Sequence, residues 1–285
     1  MVGTTRDDES ARGRAASPAF TTHLAEVVRV ARVTPRMVRI TVGGAGLVDF
    51  RGGVAADERV KVFFPGVDEV APVVPSFGAG GLVYPEGAAI PHARNYTVVR
   101  FDPVGPELDL DFVLHGSGRA AEWAGAAREG DFVGIAGPLP GAMPPDGVGF
   151  VLLAGDEAAL PGIASVLERL APGTRAHAIV EVADAAEEQA LDVPEGGEVR
   201  VQWVHRDTES EAGGLVRAVR SLTWPATGSV YAWVAGEAGV VRDIRRHLRD
   251  DRGLGRADMH VSGYWRRGRT VEQWLSEEPE LLGDA

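Results

Sequence analysis

The period of the hydrophobic pattern changes near residue 147, and this change limits the possible folds of the chain more than any other feature. Before that point, apolar residues alternate with polar ones over short segments, which is typical of strands with one buried face. After it, fully apolar segments alternate with stretches whose apolar residues recur at helical spacing, such as Leu160, Ile163 and Val166. The 285 residues are therefore predicted to form two domains, a β-domain followed by an α/β-domain.

The β-domain is predicted to span residues 18–146, after a polar, aperiodic tail at 1–17 that we expect to be disordered. An Ala-rich segment at 118–130 indicates one helix, which Gly130 is placed to end. The Pro- and Gly-rich segment 66–93 indicates a long loop. Short strands with a single helix favour a six-stranded antiparallel barrel. The predicted strands are 23–33, 37–42, 58–64, 94–101, 107–115 and 131–137.

The α/β-domain is predicted to span residues 147–285 and to be Rossmann-like. Apolar strands that alternate with helices imply right-handed crossovers and a parallel sheet covered on both faces. Nucleotides bind such sheets beyond the carboxyl ends of the strands. The predicted strands are 150–156, 176–182, 199–205, 230–237 and 259–265, and the predicted helices are 157–170, 212–222 and 238–251.

The composition excludes several classes of function. The absence of cysteine excludes disulfides, iron–sulfur clusters and thiolate zinc sites, and the seven histidines show no ligand spacing, so no metal site is predicted. A net charge of −12 argues against nucleic acid as a partner. No segment resembles a membrane span or a signal peptide, so we expect a soluble, cytoplasmic protein. A single lysine, Lys61, stands among the many arginines.

Two motifs of the β-domain suit a flavin. Arg94 and Tyr96 share one face of a predicted strand, where a guanidinium can pair with a pyrophosphate and a ring can stack on the isoalloxazine. The alternative is an ordinary strand with an exposed Arg and a packed Tyr. His115 ends the next strand and is followed by a glycine turn and a helix start, where free N–H groups can hold a diphosphate.

The α/β-domain places polar residues at strand ends, although it lacks the G-x-G-x-x-G fingerprint. Asp156 ends the first strand and Glu157 follows it, with helix capping as an equally good explanation for both. Glu237 ends the fourth strand. Arg206 follows the third, where a cation can hold the 2′-phosphate of NADPH. The alternative for Arg206 is a surface ion pair with Asp207 or Glu209, so the choice between NADPH and NADH stays open.

Taken together, these features resemble the siderophore-interacting protein family, FAD-containing and NAD(P)H-dependent ferric-siderophore reductases related to the ferredoxin-reductase superfamily. The resemblance runs from about Thr22 to Gly268. It rests on motifs in a fixed order: DERVKVFFP at 57–65, VYPEG at 83–87, RNYT at 94–97, DFVLHG at 111–116, AAEWA at 120–124, GDEAALPG at 155–162, WVHR at 203–206, AGEA at 235–238 and GYWRRG at 263–268.

The resemblance implies an FAD-binding barrel and an NAD(P)H-binding α/β-domain. The FAD-binding residues that it implies are Arg94, Tyr96, Thr97, His115, Gly116, Ala120 and Ala121. With Asp156, Glu157, Arg206 and Glu237, they complete the predicted cofactor site. No catalytic acid or base is predicted, because the flavin transfers the electrons.

The resemblance also implies a cationic mouth for an anionic ferric chelate. The predicted siderophore-binding residues are Lys61, His260, Arg266 and Arg267. The sequence departs from the family pattern at Val99 and Leu139, which stand at positions that are usually basic. The cation expected in the turn after Gly137 and Pro138 is therefore missing.

The sequence thus predicts a monomeric NAD(P)H-dependent ferric-siderophore reductase that uses FAD to pass electrons to chelated Fe(III) and releases the iron as Fe(II). Two alternatives remain: a general flavin-dependent reductase with another diffusible acceptor, and a siderophore-binding protein without catalysis. The identity of the siderophore and the role of the C-terminal segment are not determined by the sequence.

Overall fold

The strands of the first half follow the predicted alternation. The computed structural model describes residues 20–78, 80–115, 118–206, 213–269 and 274. The strands of this half are β1 (Thr21–Thr34), β2 (Met37–Gly43), β3 (Arg59–Phe64), β4 (Ser76–Gly78), β5 (Gly81–Val83), β6 (His92–Asp102), β7 (Glu107–Val113) and β8 (Phe132–Leu139), with one helix, α1 (Arg119–Ala126), between β7 and β8.

Six of these strands close into an antiparallel barrel in the order β1-β2-β7-β6-β3-β8. Closure pairs every strand on both sides, so no unpaired sheet edge remains. Apolar residues from all six strands fill the interior, including Ile40, Val60, Leu110 and Ile135, each with 0% of its surface exposed. The predicted six-stranded barrel with one helix is confirmed.

The strands of the second half are β9 (Phe150–Asp156), β10 (Ala176–Val182), β11 (Val199–His205), β12 (Val230–Glu237) and β13 (Met259–Trp265). They form a five-stranded parallel sheet in the order β11-β10-β9-β12-β13. The sheet order reverses between β9 and β12, and a crevice at such a point is where ligands bind in open α/β sheets. The predicted Rossmann-like domain is confirmed. Its helices are α2 (Leu160–Arg169), α3 (Gly214–Arg220) and α4 (Ala238–Arg246). Helix α4 continues as a π-helical turn (His247–Asp251).

Two local features of the barrel domain differ from the prediction. The predicted loop at 66–93 contains the short hairpin β4–β5. The helix predicted to reach Gly130 ends at Ala126, because Ala127 takes an extended conformation (ψ 142°). The amide of Arg128 then donates to the carboxylate of Asp131 (2.8 Å), and the amide of Gly130 donates to the carbonyl of Val27 on β1. The chain after α1 is therefore held to the barrel wall.

The two domains share a buried interface. Met37 and Ala56 of the barrel domain pack into the core cluster of the α/β-domain. Asp57 crosses the interface: its amide donates to the hydroxyl of Ser165 (3.1 Å), and its carboxylate accepts from the indole N–H of Trp233 (3.3 Å). These contacts fix the barrel against the face of the sheet that carries α2.

None of the described helices is long and apolar enough to cross a membrane. The predicted disordered tail at 1–17 lies outside the described residues, as does nearly all of the chain after Arg269.

Candidate functional site

Strands β3 and β6 carry the first group of predicted site residues. In their antiparallel register, Tyr96 lies opposite Val60 and Arg94 lies opposite Val62. Residues that face each other across a ladder point to the same side of the sheet. Since Val60 is fully buried in the barrel interior, Arg94 and Tyr96 belong to that face, and Thr97 belongs to the other. The predicted sharing of one face by Arg94 and Tyr96 agrees with the register.

The ring of Tyr96 lies in an aromatic cluster at the barrel wall. Its centroid is 4.3 Å from that of Phe112 and 6.3 Å from that of Phe64. Burial raises the pKa of the Tyr96 phenol well above its usual range, although nearby Arg94 acts in the opposite direction. The phenol is therefore neutral at any physiological pH and is held rigidly by its neighbours.

Lys61 is half-buried on the other face of β3. Burial lowers the pKa of its ammonium group, and the guanidinium of Arg94 lowers it further by repulsion. No carboxylate among the described residues forms an ion pair with Lys61. A bound anion would stabilise the charged ammonium group and so offset both causes of the lowered pKa. The surroundings of Lys61 therefore suit an anionic ligand.

Arg59 is a cation that the sequence reasoning did not single out. It lies opposite Leu139 in the ladder between β3 and β8 and opposite Thr97 in the ladder with β6. Alternation places it on the same face of β3 as Lys61. A positive charge therefore stands beside Leu139, the position where this sequence lacks the cation that is usual in the family. No local motif marks Arg59, because its neighbourhood depends on strand pairing across the barrel.

The start of α1 suits a diphosphate. The helix has Gly118 (φ 116°) at its N-cap, and no side chain caps its free N–H groups. Ala120 is half-buried and Ala121 buried, and the first turn also carries Arg119 and the carboxylate of Glu122, which accepts from the amide of Gly118 at 3.4 Å. His115 is exposed just before this turn. Gly116, also predicted to line the flavin, lies outside the described residues.

Asp156 joins the carboxyl ends of three parallel strands. Its carboxylate accepts from the indole N–H of Trp265 (2.8 Å), the amide of Glu237 (2.9 Å) and the amide of Ala158 (3.0 Å). Burial and the charge of Glu157 raise the pKa of Asp156 to about 6. A Cβ atom at Gly236 (φ 135°) would lie 2.7 Å from this carboxylate, so the close approach requires glycine. Asp156 thus ties together the strand ends at the point where the sheet order reverses, between β9 and β12.

Arg206 is paired with carboxylates. It forms two parallel hydrogen bonds with Glu157, at 2.9 and 2.6 Å, and lies 3.5 Å from Glu181. Asp207 and Glu209, the partners that the sequence suggested, lie outside the described residues. Arg206, the predicted 2′-phosphate ligand, is therefore already paired with Glu157 and Glu181. The sequence did not indicate either pairing.

Glu237, Arg266 and Arg267 come together at the ends of β12 and β13. Glu237 caps α4 by accepting from the amide of Val240 (2.9 Å). Its other oxygen accepts from the guanidinium of Arg266 (3.4 Å) and from the backbone amide of Arg267 (3.2 Å). Glu237 is therefore the N-cap of α4, a role that the sequence did not indicate for it, and the side chain of Arg267 is exposed beside it.

His260 does not supply the positive charge expected of it. Burial, with a smaller contribution from Arg59, lowers the pKa of its imidazole to about 4, so the ring is neutral near pH 7. The ring stacks on Trp233 at a centroid distance of 5.9 Å. Its Nε2 is buried without a hydrogen-bond partner in the described residues, as is the hydroxyl of Tyr264. Any substrate contact by His260 is therefore a hydrogen bond and not an ion pair.

The described residues fit an FAD molecule on the barrel. An aromatic ring, a guanidinium and a helix start without a side-chain cap are groups that suit an isoalloxazine and a diphosphate. The structure brings together Lys61, Arg94 and Tyr96 on adjoining strands. At the sheet edge it gathers Asp156, Glu157 and Arg206. Among the described residues no group of three or more His, Cys, Asp or Glu side chains is placed to hold a metal ion.

Both halves of the chain match models of one protein family. Residues 26–142 match the siderophore-interacting FAD-binding domain. Residues 149–268 match the siderophore-interacting protein domain. The two matches follow one another along the chain and together cover most of its length.

Relatives match along almost their whole length. The ferric vibriobactin reductase ViuB of Vibrio cholerae is 30% identical, with 92% of this chain and 95% of ViuB covered. The NADPH-dependent ferric-chelate reductase of Escherichia coli is 30% identical, with coverages of 84% and 91%. The crystal structure of a siderophore utilization protein from T. fusca superposes with a TM-score of 0.77 at 38% identity, covering 88% of this chain and 95% of that one.

Proposed function

The chain belongs to the siderophore-interacting protein family, and from this premise we propose that it is an NAD(P)H-dependent reductase of ferric siderophores. It is a flavin oxidoreductase whose barrel is the FAD-binding domain. In the proposed reaction NAD(P)H supplies the electrons, a diffusible ferric chelate accepts them, and the iron leaves as Fe(II).

The proposal of an anionic electron acceptor rests on the surroundings of Lys61. The chain has a net charge of −12, which repels anionic chelates at long range. Lys61 is nevertheless a half-buried cation with no carboxylate partner in the described part of the chain, and it stands on one face of β3 with Arg59. An unneutralised cation in an acidic protein favours an anionic substrate over a neutral one.

The electron count explains why this chemistry requires a flavin. NAD(P)H releases two electrons as a hydride, whereas each ferric ion accepts one. FAD, when bound, takes a hydride and gives up electrons singly. The balanced reaction converts one NAD(P)H and two ferric chelates into NAD(P)⁺, two Fe(II) and one proton. The cysteine-free chain has no iron–sulfur cluster to carry the electrons, so the acceptor must approach the flavin itself.

The residues of the chain bind and orient the two partners. Arg94 and the start of α1 hold the FAD diphosphate, and Tyr96, Thr97 and His115 lie along the flavin. The nucleotide binds at the carboxyl ends of β9 to β12, where Asp156 ties the strands together. The chelate contacts Lys61, with Arg266 and Arg267 as further cations. These residue roles remain proposals.

Anaerobic mixing of the FAD-loaded protein with NADH or NADPH, and then with a ferric chelate, tests the function. We expect the flavin absorbance near 450 nm to disappear and then to return on addition of chelate, with Fe(II) captured by a chromogenic chelator. Return of the absorbance with a quinone or dye but not with ferric chelates would favour a general flavin reductase. Tight chelate binding without Fe(II) would favour a siderophore-binding protein.

The monomeric state and the cytoplasmic location stay predictions from the sequence. A sedimentation velocity measurement decides the first, since a monomer of 285 residues has a mass of 30.1 kDa.

A further inference from the structure

We propose that Glu157, Glu181 and Arg206 make the nucleotide site selective for NADH over NADPH. This inference rests on the proposed function, because it concerns the electron donor of that reaction. It predicts a preference opposite to the one in the name of the Escherichia coli relative. The three residues lie at the carboxyl edge of the sheet, on neighbouring strands β9, β10 and β11.

The guanidinium of Arg206 is paired with two carboxylates in the structure. Two of its nitrogens donate to the two oxygens of Glu157, and a third lies 3.5 Å from Glu181. The side chains of Glu157 and Glu181 are only 10% and 12% exposed, whereas that of Arg206 is 33% exposed. A phosphate that captured Arg206 would leave two nearly buried carboxylates without their cation, which is strongly unfavourable.

The charge of the cluster also opposes a phosphate. Two carboxylates surround one guanidinium, and Asp156 lies close enough to interact electrostatically with Arg206. A 2′-phosphate adds about 1.5 to 2 negative charges at pH 7. A ribose hydroxyl carries no charge and donates a hydrogen bond, which a carboxylate oxygen accepts. The cluster therefore favours the free 2′-hydroxyl of NADH.

The position of Glu181 supports the same ligand. It is the penultimate residue of β10, the second strand of the domain and the neighbour of central β9. In dinucleotide-binding sheets, an acidic residue about 20 residues beyond the first βα turn hydrogen-bonds the ribose 2′-hydroxyl of NAD. One oxygen of Glu181 accepts from the amide of Leu215 at the start of α3 (3.1 Å), which fixes the carboxylate in place. The other oxygen faces Arg206.

The test compares the FAD-loaded wild type with Glu181→Gln and with Glu188→Gln as a matched control. Gln keeps a carbonyl oxygen for the amide of Leu215 but removes the charge. Glu188 is an exposed carboxylate paired with His205 at 2.7 Å, so its loss changes the net charge equally without touching Arg206. We expect kcat/KM of the wild type to be at least tenfold higher for NADH than for NADPH. Glu181→Gln should shift this ratio about tenfold toward NADPH, and Glu188→Gln should leave it unchanged.

A binding titration separates this inference from the proposed function. Calorimetry with 5′-AMP and 2′,5′-ADP needs no electron transfer, and we expect the wild type to bind 5′-AMP more tightly. If neither nucleotide reduces the flavin, the proposed function fails, while the titration still decides the selectivity. A wild type that prefers NADPH and 2′,5′-ADP would overturn the inference, as would equal shifts in Glu181→Gln and Glu188→Gln. Should Glu181→Gln fail to fold, Glu157→Gln provides the same comparison.

Discussion

At the scale of single residues, Lys61 carries its charge in surroundings that disfavour it. Its pKa is lowered by burial and by Arg94, so the ammonium group loses its proton at a lower pH than an ordinary lysine does. An anionic chelate binds the charged form. The KM for such a chelate should therefore rise as the pH increases through this lowered pKa, and the rise should be absent in a variant without the lysine.

Replacement of Lys61 by Ala should raise KM for anionic ferric chelates several-fold and leave FAD content and turnover with a neutral acceptor unchanged. The effect should shrink at high salt, because screening weakens the attraction between chelate and lysine. Steady-state kinetics at two ionic strengths provide the measurement. Arg175→Ala is the charge-matched control, since Arg175 is an exposed cation paired with Glu198. Equal losses with anionic and neutral acceptors would instead indicate a structural role for Lys61.

Replacement of Arg94 by Ala should yield largely FAD-free protein of native fold. One charge-assisted bond to a phosphate contributes about 1.5–3 kcal/mol, or roughly ten- to a hundred-fold in Kd. The ratio of absorbance at 450 nm to that at 280 nm in the purified variant measures the occupancy. Arg100→Ala is the control on the same strand, because Arg100 is exposed and pairs with Asp109. Normal FAD occupancy in Arg94→Ala would show that Arg94 does not hold the diphosphate.

At the scale of elements, the turn before β3 connects the two domains through a buried carboxyl group. Asp57 is fully buried and is the one non-glycine residue among those described with a positive φ (51°). Its Oδ2 accepts from Trp233 and from the amide of Ala142, while its Oδ1 has no partner in the described residues. Burial raises its pKa from 3.8 to about 6, although Arg59 acts to lower it.

The raised pKa of Asp57 makes the free energy of unfolding depend on pH. Between about pH 4 and pH 6 the folded protein keeps a proton that the unfolded chain has lost, so stability falls as the pH rises through this window. The stability of Asp57→Asn should not fall in this window, because an Asn side chain does not titrate. Relative to the wild type, the variant should therefore gain stability between pH 4 and pH 7, by about 1.4 kcal/mol for each unit of pKa shift.

Urea unfolding of wild type and Asp57→Asn at pH 4.5 and pH 7 measures this difference. Asp156, whose pKa is also raised to about 6, contributes equally to both proteins and cancels in the comparison. A difference in stability that stays constant across the two pH values would show that Asp57 is not the titrating group.

The sequence predicted the elements of the α/β-domain closely, because each strand is a continuous apolar segment with a sharp boundary. All five strands of that domain have the predicted limits. The hairpin β4–β5 could not be predicted, since its two strands have only three residues each. The early end of α1 could not be predicted from the sequence either, because it depends on hydrogen bonds between the turn 127–131 and strand β1.

The site was predictable where local alternation decides it and unpredictable where strand pairing does. Arg94 and Tyr96 share a face by their spacing alone. The position of Arg59 beside Leu139 depends on the register of β3 with β8. The pairing of Arg206 with Glu157 and Glu181 joins three strands that are far apart in sequence. The neutral state of His260 results from burial at the domain interface, which no motif encodes.

At the scale of the whole molecule, the two domains are bound firmly to each other. Glu187 of the α/β-domain, 2% exposed, accepts from the hydroxyl of Thr34 and the amide of Arg36 at the turn between β1 and β2. Asp57 makes a second connection to Ser165 and Trp233. A fixed interface keeps the nucleotide-binding edge of the sheet in a constant position relative to the barrel, as direct electron transfer between two cofactors requires.

The stoichiometry of an anaerobic reaction tests the central claim most directly. FAD-loaded protein receives a limiting amount of NADH in the presence of excess ferric chelate, and Fe(II) is counted with a chromogenic chelator. The account predicts two Fe(II) for each NADH oxidised, with no Fe(II) from protein stripped of FAD. Oxidation of NADH without Fe(II), or the same yield of Fe(II) without FAD, would contradict it.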